Sequence, residues 1–293
     1  MRRIVLTAVF MSLMGCWRTF GQIEVSLRIE PAHAVLYEPI KANVLIRNNT
    51  GSILEFGGGE PARFFFDVGF DKNEAVRQTD LNPLMYGARI MPRETRTNQF
   101  VLTSIYSMRS LGVYKINACI EWQDRLFFSA PIEVEIRRGF EIARLTAGVP
   151  GESLQLRVYV LEYMSKEDGE NVYLRIEDEQ EKKIYGMANL GHIVRVRAPV
   201  IKVDESGNVH VLFQTMSMDF IHTAFTPYGV QLFSRIYNDK TGAISLVSLP
   251  NGQVSVSIPP ESGKPETSRA ELPPDQHTLP KKLATDMFGT KTE

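Results

Sequence analysis

A two-residue alternation of apolar and polar side chains is the feature that most limits how this chain can fold. It is clearest from Tyr114 to Trp122, and Glu24 to Ile29 repeats it. Successive side chains of a β-strand point to opposite faces, so this period predicts strands with one buried face. The alternating segments are short, are separated by turn sequences such as Asn48 to Gly51, and show no helical period. The sequence therefore predicts an all-β protein.

Chain length and composition divide the 293 residues into four parts. The alternating segments predict a β-sandwich over 22–137 and a second antiparallel meander or sandwich domain over 138–258. From 259 to 293 the composition changes, with few apolar residues and six prolines, at positions 259, 260, 265, 273, 274 and 280. Such a segment is too poor in apolar residues to form a core, which predicts a disordered tail.

The first 21 residues have the pattern of a signal peptide. Arg2 and Arg3 precede an apolar run, 4–15, that is too short to span a bilayer as a helix. Two processing routes remain open: cleavage ahead of Gln22, or lipidation of Cys16, since Leu13 to Cys16 resembles a bacterial lipobox. Either route predicts an exported protein that is periplasmic, extracellular or an outer-surface lipoprotein. Membrane contact is expected only through the signal peptide or a lipid anchor.

Charge and motifs exclude several classes of function. The 33 basic residues balance 34 acidic ones, giving a formal net charge of -1, so no nucleic-acid partner is expected. No phosphate loop, dinucleotide fingerprint or Gly-x-Ser-x-Gly elbow occurs in the sequence. The sequence therefore predicts no cofactor, no catalytic residue and no enzyme activity.

Histidines and one acidic turn are the candidates for a metal site. His210 and His222 lie twelve residues apart. In an internal repeat of about 37 residues, described below, they occupy the positions of Tyr173 and Tyr185, which predicts a packing role. The turn from Asp204 to Asn208 is rich in oxygen-bearing side chains, as a calcium-binding loop is. It lacks the downstream glutamate that binds calcium with both carboxylate oxygens in an EF-hand. We therefore expect a hairpin turn there, and no metal site.

Two further patterns concern the strand faces. Cys119 lies an even number of residues from Lys115, Asn117 and Glu121 and so shares their face of the strand. This parity places it on the polar face as an inert thiol. The aromatic runs 64–66 and 127–128 put apolar side chains on both faces of their strands. Strands apolar on both faces are expected to be buried on both, in the core or against another domain or a partner.

The segment from Asp71 to Met91 is longer than a tight strand connection. It is a candidate binding loop through its polar and aromatic side chains, and a variable surface insertion is the alternative. The residues assigned to the speculative binding loop are Asn73, Asp80, Asn82 and Tyr86.

Several phrases in the first domain resemble bacterial extracellular immunoglobulin-like domains. They are Glu38-Pro39-Ile40 leading into a strand, Leu111-Gly112-Val113-Tyr114, and the closing Ala130-Pro131-Ile132-Glu133-Val134. In that family the Gly-x-Tyr motif often marks the corner of the sixth strand. The resemblance covers about 115 residues and implies an immunoglobulin-like sandwich with an adhesive or spacer role.

The second domain resembles the blades of sialidase-like repeat proteins in the stretch 203–214. Asn171-Val172 recurs as Asn208-Val209, an internal repeat of about 37 residues. A closed propeller needs at least about four blades, so we expect an open meander or sandwich.

These observations favour an exported, non-enzymatic binding or envelope-assembly protein with a protein or glycan partner at the cell envelope. The alternative is a secreted hydrolase or carbohydrate-binding accessory protein with the second domain as the active module. A third possibility is a secreted protease inhibitor that presents a rigid loop within 71–91.

Overall fold

The structure is a computed structural model that describes residues 23–57, 61–71, 74–151, 155–166, 169–178, 180 and 183–259. Over these ranges the chain is 62% strand and 2% helix, which confirms the all-β prediction. Cys16, the predicted signal peptide, Asn73 and the tail from 260 lie outside the described residues. Within the described ranges, no helix has the length and apolar character needed to cross a membrane.

The described residues of the first unit form eleven strands and one helical turn. They are β1 (Ile23–Glu30), β2 (His33–Val35), β3 (Lys41–Asn48), β4 (Leu54–Glu55), β5 (Arg63–Phe70), β6 (Glu74–Ala75), β7 (Arg89–Ile90), β8 (Thr95–Val101), α1 (Leu102–Ile105), β9 (Gly112–Trp122), β10 (Arg125–Phe128) and β11 (Ile132–Arg137).

Two sheets make up most of this unit. The first sheet has the order β1-β3-β8, and the second has the order β2-β11-β9-β5-β6, with β10 paired to β9. The strand pairs of these two sheets are antiparallel, except that β2 runs parallel to β11. Both sheets contribute side chains to one apolar core.

The core confirms the alternation read from the sequence. In β9, Tyr114, Ile116, Ala118, Ile120 and Trp122 are all buried, as their shared parity predicts. In β5, the rings of Phe64 and Phe66 pack edge to face with centroids 5.1 Å apart, and both contact Phe100. Burying such large rings supplies much of the free energy that holds a sheet pair together.

Tyr114 fixes the start of β9 through its hydroxyl group. The hydroxyl donates to the Ser110 carbonyl and accepts from the Ser110 N–H, both at 3.0 Å. Its ring is buried in the core. The side chain therefore ties the loop before β9 to the core by two hydrogen bonds.

The prediction for Cys119 is wrong in one respect. The residue points away from the core, as its parity requires, yet it is buried. Its cross-strand neighbours are Phe65 on β5 and Phe128 on β10. Two aromatic side chains thus flank the thiol, and burial raises its pKa.

The aromatic runs are not buried on both faces. Phe64 and Phe66 are buried, whereas Phe128 on the opposite face is 66% exposed. Phe65 is only partly covered. Neither core nor second unit therefore covers Phe128, contrary to the expectation from its sequence.

In the part of the second unit that the structure describes, there are ten strands. They are β12 (Phe140–Gly148), β13 (Leu156–Lys166), β14 (Gly169–Asp178), β15 (Lys183–His192), β16 (Val200–Val203), β17 (Val209–Gln214), β18 (Asp219–Phe225), β19 (Gln231–Asn238), β20 (Ser245–Ser248) and β21 (Val254–Ser257).

These strands form two four-stranded antiparallel meanders and a hairpin. The third sheet is β12-β13-β14-β15, the fourth is β16-β17-β18-β19, and β20 pairs with β21. One apolar cluster, which includes Leu161 and Phe213, joins the third and fourth sheets. A second cluster joins the other face of the fourth sheet to the hairpin through Leu212 and Leu246. The unit is therefore a stack of three β layers.

The 37-residue repeat does not coincide with this stack. It aligns β14 with β17, but β14 is the third strand of its sheet and β17 is the second of the next. The two meanders correspond strand by strand only if β12 is matched with β16. The recurrence of Asn-Val therefore reflects similar hairpin turns and not the repetition of the four-stranded meander.

The two units contact each other through a small apolar cluster and one ion pair. Val35 of the first unit packs with Met164, Tyr173 and Met187 of the third sheet. Beside this cluster, Lys166 Nζ lies 3.4 Å from Glu38 Oε1. The outer face of the third sheet is therefore covered by the first unit.

Candidate functional site

A cleft of about 360 Å³ opens in the first unit, between the start of β5 and the connection that follows β6. Its size lies at the lower end of the range found for small-ligand pockets. We call it the loop cleft. The lining residues used below are Arg63, Phe65, Gln78, Leu81, Asn82 and Tyr86.

Hydrogen bonds give the wall of the loop cleft a defined shape. Asp80 Oδ1 accepts the Asn82 N–H at 3.0 Å, and Gln78 Nε2 donates to the Asp80 carbonyl at 2.6 Å. The Thr79 N–H and hydroxyl both donate to the Ile105 carbonyl, at 2.7 and 3.0 Å. These bonds anchor the loop to the end of α1, so the loop is an ordered wall.

The structure brings together some of the residues assigned to the binding loop. Asn82 and Tyr86 line the loop cleft, whereas Asp80 shapes the turn and does not line it. Asn73 is outside the described residues. Sequence analysis did not identify Gly57, Arg63 or Phe65, because their segment reaches the loop only through the tertiary fold.

The ring of Tyr86 rests against Gly57. A Cβ atom on Gly57 would lie 2.6 Å from Tyr86 Cδ2, and Gly57 has φ +91°, in the left-handed region that favours glycine. Tyr86 is nevertheless 73% exposed. The glycine thus allows an aromatic ring to lie at the rim of the cleft with most of its surface open to solvent.

The polar groups of the loop cleft are mainly amides. Among the described residues, none hydrogen-bonds the carboxamide of Asn82. Arg63 is already paired with Glu121, with Nη1 to Oε2 at 3.1 Å. The described lining residues include no Asp, Glu, His, Cys or Ser. This lining offers hydrogen bonds and an aromatic surface, without a general acid, base or nucleophile.

A second cluster, which we call the histidine chain, lies in the fourth sheet. His210 Nε2 is 3.2 Å from Asp204 Oδ2, and His210 Nδ1 is 3.0 Å from His222 Nε2. Asp204 opens the turn between β16 and β17 and also accepts the Asn208 N–H at 2.8 Å. The turn predicted at 204–208 is therefore confirmed, and it presents its carboxylate to His210.

Burial governs the charge of both imidazoles. Desolvation lowers the pKa of His210, against the opposing effect of Asp204. Desolvation, with smaller contributions from His210 and Arg235, lowers the pKa of His222 to about 3. Both rings are therefore neutral at pH 7.

The neutral state assigns the protons of the histidine chain. A carboxylate oxygen accepts hydrogen bonds, so His210 donates to Asp204 from Nε2. His210 Nδ1 is then an acceptor, and His222 donates to it from Nε2. One carboxylate thus determines the tautomers of both imidazoles.

The histidine chain lies within the fold. His210 is 5% exposed and His222 is 3% exposed, and the His222 ring packs edge to face on Phe233 at 4.9 Å. Within the described ranges, no three His, Cys, Asp or Glu side chains are grouped to hold a metal ion. Sequence analysis predicted a packing role for the two histidines but did not connect them with Asp204.

Arg157 forms a buried clamp between the third and fourth sheets. Its Nη1 lies 2.8 Å from Asp178 Oδ2, and its Nε donates to the Pro227 carbonyl at 3.2 Å. The guanidinium also stacks on the Tyr185 ring, 4.0 Å from the centroid. Through these contacts Arg157 links the third sheet to the fourth, and its buried guanidinium leaves no opening for a ligand.

Comparison with known proteins gives little further information. No family model matches the chain, and no curated protein matches it. Among solved structures, the sporulation control protein Spo0M from Bacillus subtilis aligns at 11% identity, covering 58% of this chain and 91% of that one. The TM-score of 0.24 is too low to support an argument about fold or function.

Proposed function

We propose that this protein is an exported, non-enzymatic binding protein that takes a neutral glycan of the cell envelope in the loop cleft. The single observation behind the proposal is the cleft itself. It is lined by the exposed Tyr86 ring and by the Asn82 carboxamide, which has no hydrogen-bond partner among the described residues. A sugar ring has an apolar face that stacks on an aromatic side chain, and hydroxyls that pair with amides. A glycan without charge suits a lining whose one cation is already paired with Glu121.

The proposal includes an immunoglobulin-like sandwich for the first unit, and strand order supports it. Taking β1, β3, β5, β8, β9 and β11 as strands A, B, C, E, F and G gives sheets A-B-E and G-F-C. This is the arrangement of immunoglobulin constant-type domains without strand D. The hydroxyl of Tyr114 bonds back to Ser110, as the tyrosine corner of such domains does.

Export is the part of the proposal that rests on sequence alone. The basic residues Arg2 and Arg3 and the apolar run that follows support it. Intact-mass measurement of the native protein tests it. A chain that starts at Gln22, or a lipidated chain that starts at Cys16, is expected; a native product that keeps Met1 would contradict export.

A secreted hydrolase with the second unit as its active module is the second candidate. The histidine chain favours it, because a carboxylate that orients an imidazole is the arrangement used in general-base catalysis. Both imidazoles are buried, so a substrate would reach them only after a movement of the hairpin. Hydrolysis of a panel of chromogenic esters and glycosides, lost in His210→Gln, would support this candidate over the first.

Tyr86→Ala is expected to weaken glycan binding about tenfold or more, because it removes the exposed ring of the cleft. Isothermal titration with the best neutral ligand from a glycan array measures the effect. The free energy of unfolding should change little, since the ring is largely exposed.

Two further variants make this test specific. Gly57→Ala keeps Tyr86 but forces its ring to move, so it should also weaken binding. Phe140→Ala removes an equally exposed aromatic ring of the second unit and should bind normally. Unchanged affinity in both Tyr86→Ala and Gly57→Ala would rule out the loop cleft as the glycan site.

A further inference from the structure

The β20–β21 hairpin covers one face of the fourth sheet. Leu212 and Phe220 of that face pack against Leu246 and Val254 of the hairpin. His210 shares the parity of Leu212 on β17, and His222 shares the parity of Phe220 on β18. The histidine chain therefore lies on the face of the sheet that the hairpin covers.

The histidine chain is joined to the turn of the hairpin through the backbone. The N–H of Glu205, the residue after Asp204, donates to the Gly252 carbonyl at 3.0 Å. The Glu205 side chain also lies against Gly252. A change in the position of Asp204 is thus transmitted directly to the turn that connects β20 and β21.

The charges around the two imidazoles act in opposite directions. Asp204 favours protonation of His210, whereas His210 and Arg235 oppose protonation of His222. Across the sheet, Lys202 on β16 is the neighbour of His210. Near the hairpin, Glu205 lies against Gly252, Asp239 accepts the Ile244 N–H at 2.7 Å, and Arg197 lies over the Phe220 ring. The hairpin itself, residues 245–257, contains no ionisable side chain, so it has no carboxylate to stabilise a new positive charge beneath it.

We propose that the histidine chain is an acid-responsive latch, which holds the β20–β21 hairpin on the fourth sheet at neutral pH and releases it when the imidazoles are protonated. Release hydrates the two charged rings, which stay beside Lys202 and Arg235 in the fourth sheet. It also uncovers the apolar face around Leu212 and Phe220, which is then available to a partner in an acidic compartment. The latch is independent of the loop cleft, which lies in the other unit.

Proton linkage sets the size of the effect. Desolvation is the largest cause of the low pKa of His222 in the closed state, about 3, and release removes it. The pKa then rises toward its ordinary value near 6.5, although His210 and Arg235 stay nearby. The released state binds more protons in the interval between these values, so lowering the pH through it favours release. His222 alone raises the released population by up to about 30-fold between pH 7.5 and pH 5.0.

Hydrogen–deuterium exchange at the two pH values tests the latch. After correction for the intrinsic exchange rate, amides of β20 and β21 should open several-fold more, and at most about 30-fold more, at pH 5.0 than at pH 7.5 in the unaltered protein. His222→Gln keeps an N–H donor for His210 but cannot take up a proton, so most of this increase should be lost. His222→Phe, which fits beside Phe233, provides a second non-titrating variant should the glutamine variant fold poorly.

A matched control variant and two possible outcomes decide whether the histidine chain acts as the latch. His192→Gln removes an exposed histidine and should keep the full increase. An equal increase in the His222 variants would overturn the latch. So would an increase spread uniformly over the third and fourth sheets, because that pattern reports global unfolding instead of release of the hairpin.

Discussion

Arg157→Met is expected to lower the free energy of unfolding of the second unit by about 3–5 kcal/mol. The substitution leaves Asp178, 3% exposed, as a buried carboxylate without its guanidinium partner. It also removes the hydrogen bond to the Pro227 carbonyl and the stacking on Tyr185. Urea unfolding at pH 7, followed by far-ultraviolet circular dichroism, measures the loss.

Two companion variants test whether the buried charge causes this loss. Arg144→Met breaks a half-exposed pair with Glu141 and should cost only about 0–1 kcal/mol. Adding Asp178→Asn to Arg157→Met removes the buried charge that Arg157 balances and should recover part of the stability. A cost for Arg157→Met as small as that for Arg144→Met would mean that the clamp contributes little.

Tyr114→Phe is expected to destabilise the first unit by about 1–3 kcal/mol, because it removes two hydrogen bonds and leaves the Ser110 backbone groups unpaired. The ring itself stays in the core, so the change isolates the hydroxyl group. Thermal and urea unfolding of the chain from Gln22 onward, in which Trp122 is the one tryptophan, measures the effect by intrinsic fluorescence.

Tyr86→Phe is the control for that prediction. Tyr86 is exposed, so loss of its hydroxyl should change the free energy of unfolding by less than about 0.5 kcal/mol. If Tyr114→Phe were as neutral as Tyr86→Phe, the loop before β9 would be held by its other contacts and not by the tyrosine.

The candidate site divides into a part that sequence predicts and a part that it does not. The length and composition of the 71–91 segment pointed to Asn82 and Tyr86, which do line the loop cleft. Sequence analysis did not assign Gly57, Arg63 and Phe65 to this site, since strand pairing brings them to that loop from outside it. Local composition identifies a loop, whereas the opposite wall of a cleft depends on which strand lies beside it.

The histidine chain illustrates the same limit. His210 and His222 lie on neighbouring strands. The packing role predicted for them rested on their correspondence with Tyr173 and Tyr185, and both rings are buried. Their connection to Asp204 needs the turn between β16 and β17 to fold its carboxylate over the sheet. The depressed pKa of each histidine also depends on how deeply other layers bury it, which no sequence period reveals.

By itself the sequence determined the fold class and the inward face of strands such as β9. These follow from side-chain alternation, which is a local property of an extended backbone. Only the tertiary structure decided what covers the outward faces, and so buried Cys119 and left Phe128 exposed. Burial of an outward face depends on residues far along the chain, because a second layer must pack on it.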